Sequence, residues 1–344
     1  MHMADALLSP AVGATMWAGS VAAIGYSSKK LKENIDNKTI PLMGVMGAFV
    51  FASQMINFTI PVTGSSGHIG GGMLLAIILG PYAAFLAMAS ILTVQALFFA
   101  DGGLLALGCN IWNLGIYPCF LVYPLIYRPI VGDGTSAKRI SIAAIVSVII
   151  ALQLGAFSVV LETLLSGKSE LPFSTFVLLM QPIHLAIGLV EGIATAGIII
   201  YVKNARPELL EANLSFQPLD SGISLKNVLV VFVILAVVTG GALSWFASTH
   251  PDGLEWSIEK VTGKGELAEA TQGVAPALKE IQERTAFLPD YGFKPAANEP
   301  SNENETPHWP GIEAGTSVSG IVGGSIVLMF ILLIGFGIRL FKKQ

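Results

Sequence analysis

Charged side chains are scarce in this chain, and that scarcity excludes most soluble folds. Only 12% of the 344 residues are Asp, Glu, Lys or Arg, about half the share of soluble domains. Hydrophobic residues make up 53% of the chain, and the mean hydropathy is +0.69. The formal net charge of −4 offers no basic surface for nucleic acid. The composition therefore predicts a membrane protein that crosses the lipid bilayer several times.

Three further features are missing. The only two cysteines, Cys109 and Cys119, fall in one apolar segment, so we expect neither a disulfide framework nor a thiolate metal cluster. No GxxxxGK[ST] phosphate loop occurs, so we expect no ATP hydrolysis by this chain. The first eight residues lack the basic positions that open a leader, so we expect no cleavable signal peptide.

Long apolar runs are abundant, and each is close to the 20 residues that a spanning helix needs. They lie near residues 9–27, 40–59, 82–99, 104–127, 141–163, 174–202, 228–246 and 316–338. The stretch 70–99 is longer than one span and is interrupted by Gly80-Pro81. It could form one long helix or two short ones.

The positions of the basic residues decide between these two. Most lie in four clusters: Lys29, Lys30, Lys32 and Lys38; Arg128, Lys138 and Arg139; Lys203, Arg206 and Lys226; and Arg339, Lys342 and Lys343. Short loops rich in Lys and Arg stay in the cytoplasm, and all four clusters share that side only if a short span near 69–80 precedes the span at 82–99. The sequence thus predicts an all-α membrane protein with about nine transmembrane helices, an outer N-terminus and a cytoplasmic C-terminus.

Composition also divides the chain. We expect a seven-span domain over 1–203, a polar cytoplasmic linker over 204–227, and a two-span module over 228–344. That module carries a long outer loop at 247–313 with 12 acidic and 5 basic residues. Because the loop ends in a proline- and asparagine-rich stretch, we expect it to be partly disordered.

His2, before the first span, and His68, between the second and third, both come to the outer face in this topology. The α-amine of Met1, the backbone nitrogen of His2 and the His2 imidazole can close a five- and a six-membered chelate ring on one ion. The amide must lose its proton, which Ni²⁺ or Cu²⁺ promotes, and His68 can supply a fourth nitrogen to the planar arrangement these ions favour. The alternative is that both histidines are simply solvated.

Other polar residues have open roles. Thr63, Ser65 and Ser66 either orient His68 or only form the turn before it. Intramembrane ionisable groups are functional candidates by default, which here means Glu162, His184 and Glu191; their roles stay open. Small residues four apart, at Gly44, Ala48 and Ala52 and at Gly188, Gly192 and Ala196, either pack helices together or dock a partner.

Several stretches resemble one family. MHMADALLSP, VTGSSGHIGGGMLLAIILGP and QALFFADGGLLALGCNIWNLGI resemble the CbiM/NikM family, the substrate-binding components of energy-coupling-factor transporters for cobalt and nickel, over about the first 203 residues. ASTHPDGLEWSIEK resembles the PDGLE motif of the NikN-type small subunit, here on the same chain. Departures are small: Ala6 stands where many members have Gly, and Met3 where Ile is frequent.

The resemblance implies a helix bundle whose N-terminus dips into the membrane, with Met1, His2 and His68 as metal ligands. It implies that Ni²⁺ or Co²⁺ is the transported ion, and that no catalytic cofactor is present. Separate ATPase subunits and a transmembrane coupling protein (the T-component) are the implied partners in a prokaryotic cell membrane. The sequence does not rank the two ions.

Two other functional classes would make different demands on the sequence. A stand-alone secondary transporter or channel for divalent transition metals would use ionisable groups along a path, for which His184 and Glu191 are candidates. An intramembrane hydrolase would need paired carboxylates or a nucleophile with its base. Asp101 stands at a loop edge with no evident partner, so we expect no such enzyme.

Overall fold

The computed structural model describes residues 2–34, 38–133, 136–168, 170–215, 224–268, 271–294 and 310–342. Within these residues the fold is a bundle of helices with one short β-hairpin. The helices are α1 (Pro10–Asn34), α2 (Thr39–Gln54), α3 (Gly72–Leu79), α4 (Pro81–Phe99), α5 (Leu107–Val131), α6 (Ala137–Leu165), α7 (Phe173–Ala205), α8 (Pro207–Ser215), α9 (Lys226–Gly241), α10 (Gly253–Thr262), α11 (Val274–Thr285) and α12 (Ala314–Lys342). The hairpin pairs β1 (Phe58–Ile60) with β2 (Ser65–Gly67) in antiparallel fashion.

Helix length and apolar composition together identify the helices that can span a membrane. Among the described residues, α4, α5, α6, α7 and α12 are long and apolar enough to cross a membrane, and α2 and α9 are apolar but shorter. A helix occupies each of the nine predicted positions. Because α3 has only eight residues, the count of nine crossings stays a prediction, as does the orientation of the termini.

The predicted break at Gly80-Pro81 is confirmed. Helix α3 ends at Leu79, Gly80 adopts φ +76°, and Pro81 opens α4. Glycine tolerates this backbone region at no steric cost, and proline suits the first turn of a helix because it lacks a donor there. All residues of α3 are buried, so this short helix lies inside the bundle.

The segment 204–227 is more than a polar linker. It contains α8, whose Asn213 side chain donates from Nδ2 to the carbonyls of Ile77 and Ile78 at the end of α3, at 3.2 and 2.5 Å. Arg128, near the end of α5, donates to the carbonyl of Leu214. The first part of the linker is therefore anchored to the bundle, and residues 216–223 lie outside the described part.

The small-residue faces are used within the chain. A Cβ on Gly44 would lie 2.7 Å from Leu328 of α12, and a Cβ on Gly192 would lie 2.8 Å from the Cα of Ile145 on α6. Close approach of this kind is what small residues permit between membrane helices. Since the chain's own helices cover these two faces, docking of a partner there is not supported.

The predicted outer loop is largely ordered within its described residues. Helices α10 and α11 cover one end of the bundle, which we call the site end because both His2 and His68 lie there. The amide of Gln282 donates to the carbonyls of Ala96 and Gly102, and the Ser248 N–H donates to Asn57. The described part of the loop therefore contains helices that contact the bundle, and the expected partial disorder stays a prediction; residues 295–309 lie outside the described part.

Candidate metal site

The chain's first described residues are inserted into the bundle. Met3 and Leu7 are buried, as the apolar run before α1 requires. The Met3 N–H donates to Oδ1 of Asn110 at 2.8 Å, and Nδ2 of Asn110 donates to the Met3 carbonyl at 3.3 Å. The Gly103 N–H donates to the same carbonyl at 2.9 Å. The main chain is thus fixed one residue after His2.

The structure brings His2 and His68 together. Their imidazole rings stack with centroids 5.2 Å apart and planes 12° from parallel. The His2 side chain is only 8% exposed, and its Nε2 is buried without a hydrogen-bond partner. The His2 ring is thus held inside the bundle, against the His68 ring.

Asp101 has the partner that the sequence did not reveal. Its Oδ1 lies 2.9 Å from Nδ1 of His2, and its Oδ2 accepts from the Tyr291 hydroxyl. Burial alone would raise the pKa of Asp101, but the contacts with His2 and Tyr291 outweigh it and lower the pKa to about 2. Asp101 is therefore a carboxylate at neutral pH, and it orients the His2 ring.

The loop that carries His68 is held by a buried carboxylate. Oε2 and Oε1 of Glu191 accept from the N–H groups of Gly70 and Gly71 at 2.7 and 2.8 Å. Gln54 donates to the Gly70 carbonyl at 2.8 Å. Mainly through burial, the pKa of His68 falls to about 3, so its imidazole is neutral at physiological pH, the form in which it can donate a nitrogen lone pair to a metal.

Thr63, Ser65 and Ser66 divide between two tasks. Thr63 Oγ1 lies 2.7 Å from the Ser65 hydroxyl and donates to the Ile60 carbonyl, so these two residues stabilise the turn. Ser66 instead faces the second part of the chain. Its N–H donates to the Pro251 carbonyl and its hydroxyl to the His250 carbonyl, both at 2.8 Å.

The sequence Pro251 to Glu255, which reads PDGLE, docks on this loop. Asp252 caps α10 by accepting from the N–H groups of Leu254 and Glu255, and Glu255 accepts from the Asp252 N–H in return. This reciprocal capping box fixes the start of the helix. A Cβ on Gly253 would lie 2.5 Å from Ile183 of α7. The motif therefore fits the wall of the site end closely.

The intramembrane polar residues all have protein partners. Glu162 accepts from the Asn113 amide at 2.9 Å, Nδ1 of His184 lies 2.8 Å from the Met180 carbonyl, and Glu191 holds the glycines described above. His184 also lines a small pocket with His68 and Asp252. These contacts favour a structural role for Glu162.

Protein side chains alone do not complete a metal site in the described part of the chain. No three His, Cys, Asp or Glu side chains there are grouped to hold an ion. A site built on His2 and His68 therefore needs main-chain donors. Met1, the predicted source of the amine, lies outside the described residues.

Comparison with known proteins identifies the family. The model of the CbiM family, described as the cobalt uptake substrate-specific transmembrane region, matches residues 2–209. The chain belongs to the CbiM family. A second model, the PDGLE domain, matches residues 226–340. Residues 2–209 are the CbiM region and residues 226–340 the PDGLE domain.

Relatives of full length carry both parts. An Archaeoglobus fulgidus protein provisionally named as the fused nickel transport protein NikMN is 33% identical over 95% of this chain and 96% of its own. The fused nickel transport protein NikMN of Rhodobacter capsulatus is 29% identical over 85% of this chain and 88% of its own. A crystal structure of a truncated transition metal transporter is 32% identical, with a TM-score of 0.52, and covers 60% of this chain and 99% of its own. Membrane transport of nickel or cobalt is thus the function of the group.

Sequence reasoning missed four residues of the site end. Asp101 and Asn110 belong to the CbiM region and lie within the stretch whose resemblance was noted, so their position in that stretch was an available signal. Asp252 belongs to the PDGLE motif, where an aspartate is a residue type that often caps a helix. Tyr291 carries no signal in the sequence, because only the fold brings it to Asp101.

Proposed function

We propose that this chain is the substrate-binding membrane component of an ATP-driven energy-coupling-factor importer for Ni²⁺ or Co²⁺. The observation that carries the proposal is the burial of the His2 side chain inside the bundle, where its ring stacks on the His68 ring. The fixed main chain at Met3 supports it, because it holds His2 against His68.

Four nitrogens are proposed as donors to the transported ion. They are the Met1 α-amine, the deprotonated amide nitrogen of His2, the His2 imidazole and the His68 imidazole, a set that suits a planar ion such as Ni²⁺. The six-membered ring of this chelate uses Nδ1 of His2, which Asp101 holds in the structure. Loading therefore exchanges the Asp101 contact for the ion.

The remaining organisation belongs to the same proposal. Residues 1–203 form the metal-binding component, 204–227 the cytoplasmic connection and 228–344 the NikN-like module, with about nine spans and the site end outside. Energy comes from ATPase subunits and a T-component on separate chains in a prokaryotic cell membrane. The NikMN names of the relatives favour nickel, and the family description keeps cobalt open.

One added residue tests the chelate. If Met1 is the mature terminus, a glycine placed before it converts the amine into an ordinary amide and must also fit beside Met3. We expect the glycine-extended protein to lose bound Ni²⁺ and Co²⁺ in a metal-content assay with competition between the ions. A tag after Gln344 is the matched control and leaves binding intact.

Two measurements complete the test. Mass spectrometry of the mature N-terminus establishes whether Met1 is retained, which the bulky His2 favours. Uptake with and without the ATPase subunits distinguishes the importer component from a stand-alone transporter. Absence of Met1, or full metal binding by the glycine-extended protein, would overturn the terminal chelate.

A further inference from the structure

A polar cavity lies between the CbiM region and the PDGLE domain at the site end. Its volume is about 230 Å³, and His2 forms part of its wall. The cavity is far larger than the pocket beside His68, which holds about 10 Å³. Both regions of the chain contribute to its lining, so it exists only while the PDGLE domain is docked.

The lining is strongly acidic. Among the described lining residues, six carboxylates face one ammonium group, that of Lys279. The six are Asp5, Asp101, Asp252, Glu255, Glu266 and Asp290. Burial and the neighbouring Asp252 raise the pKa of Glu255, and burial with Asp101 and Glu266 raises that of Asp290. The charged forms of Glu255 and Asp290 are therefore disfavoured beside their carboxylate neighbours, and a cation would relieve that repulsion.

The cavity lies next to the proposed histidine site. The His2 side chain, with its unpartnered Nε2 and 8% exposure, lies on its wall. Asp252 lies on the wall of this cavity and also on that of the small pocket formed with His68. An ion in the cavity would thus be next to His2, and Asp252 links the cavity wall to the pocket that His68 lines.

Acidic residues alone do not define a ligand; the His2 imidazole that shares their wall does. Carboxylate oxygens hold hydrated divalent cations well but select weakly among them. Nitrogen donors select late transition metals. Oxygen donors outside and nitrogen donors inside therefore suit two successive steps, capture of the hydrated ion and then replacement of its water.

We propose that this cavity is a vestibule in which carboxylates of both regions concentrate the hydrated divalent cation before it passes to His2 and His68. The inference rests on the proposed function of the histidine site and deepens it by naming the form in which the substrate arrives and the route it takes. A cleft lined with one sign of charge raises the local concentration of its counter-ion and its association rate, by tenfold or more in favourable cases.

The vestibule has a kinetic signature. Ni²⁺ exchanges bound water slowly, so its rate of chelation is the product of its local concentration and that exchange rate. Carboxylates that only concentrate the ion change the association rate and leave the dissociation rate alone. Carboxylates that are ligands of the final site would change the dissociation rate instead.

The test uses two charge-matched pairs of substitutions in the full chain. Glu266→Gln with Asp290→Asn removes two charges from the vestibule wall at exposed residues. Asp290 has φ +49°, a region that Asn also tolerates, so the fold should persist. Glu259→Gln with Glu283→Gln removes two exposed charges from the same domain away from the cavity.

Stopped-flow mixing with NiCl₂ measures both rate constants. We expect the vestibule pair to slow association about three- to tenfold at low salt, with dissociation unchanged and the control pair close to the unmodified protein. At 1 M salt, where charges are screened beyond about 3 Å, the difference should largely disappear.

Three outcomes would overturn the vestibule. The first is equal association rates for both pairs, and the second is a change confined to dissociation. The third is a difference that persists at 1 M salt. If the unmodified protein binds no Ni²⁺ or Co²⁺ at all, the proposed function itself fails, so the two failures are distinguishable.

Discussion

The side chain of Asn110 holds the main chain of Met3 from both sides, accepting from its N–H at 2.8 Å and donating to its carbonyl at 3.3 Å. An asparagine can do this because its amide carries both an acceptor and donors. The contact fixes which residue of the terminus reaches His68, so the position of His2 depends on a side chain of α5.

Removing this contact should weaken metal binding. Asn110→Ala deletes two hydrogen bonds of about 1 kcal/mol each, so we expect Ni²⁺ affinity to fall roughly tenfold to thirtyfold. Asn213→Ala, which deletes two hydrogen bonds to α3 carbonyls, is the matched control. Titration calorimetry should show a loss for the first variant only; equal affinities would contradict the role of Asn110.

His68 should be indispensable for tight binding. It is the proposed ligand from outside the terminus, so His68→Ala leaves three donors and should abolish high-affinity Ni²⁺ or Co²⁺ binding while the protein still inserts and folds. His250→Ala is the control, because that side chain is exposed and only its carbonyl contacts Ser66. Near-normal binding by a well-folded His68→Ala protein would remove this residue from the ligand set.

Glu191 should act by positioning His68. Gln at this position keeps one acceptor oxygen and turns an NH₂ donor toward a glycine N–H, which leaves a buried donor unpaired. We expect Glu191→Gln to weaken Ni²⁺ affinity about tenfold. Glu162→Gln is the comparison, since its Asn113 partner can rotate its amide to suit. Binding assays in which both variants behave alike would argue against a positioning role.

Metal binding should depend steeply on pH. Because the pKa of His68 is about 3, this ring stays neutral from pH 8 to pH 5 and releases no proton when the ion binds. The α-amine, with an ordinary pKa of 7.7–8.0, and the His2 amide each release one. Affinity should therefore fall as the pH falls below 7.7, by roughly a hundredfold per unit.

Calorimetry in buffers of different ionisation enthalpy counts these protons. A flat titration between pH 5 and pH 8, or release of no proton, would be incompatible with an amide-containing chelate. At a pH well below the pKa of the amine, release of only one proton would leave the amine in place and exclude the amide.

Local chemistry made part of the architecture predictable. Gly80-Pro81 predicted a helix boundary because glycine accepts a positive φ and proline lacks a donor, and the boundary lies there. The shared side of the basic clusters predicted that His2 and His68 face the same end, and their rings do stack. Both inferences used information carried by neighbouring residues or by whole loops.

Contacts between distant segments were beyond such reasoning. Asp101 reaches His2 only because the chain after α4 turns back at Ala100, which has φ +55°, and Tyr291 reaches Asp101 from the other region of the chain. The polar composition of the acidic loop predicted partial disorder. Within its described residues, Leu254 of α10 and Leu288, shortly after α11, are buried against the bundle, which average composition does not reveal.

The hydrogen bonds from Ser66 to His250 and Pro251 join two segments that the same polypeptide already ties together. Docking of the PDGLE domain is therefore intramolecular, at an effective concentration that dilution of the protein cannot lower. A weak interface is enough under these conditions, and it need not survive as a complex between separate chains. Metal affinity of the single chain should accordingly be independent of protein concentration, whereas separately produced halves would recover it only as their concentrations rise.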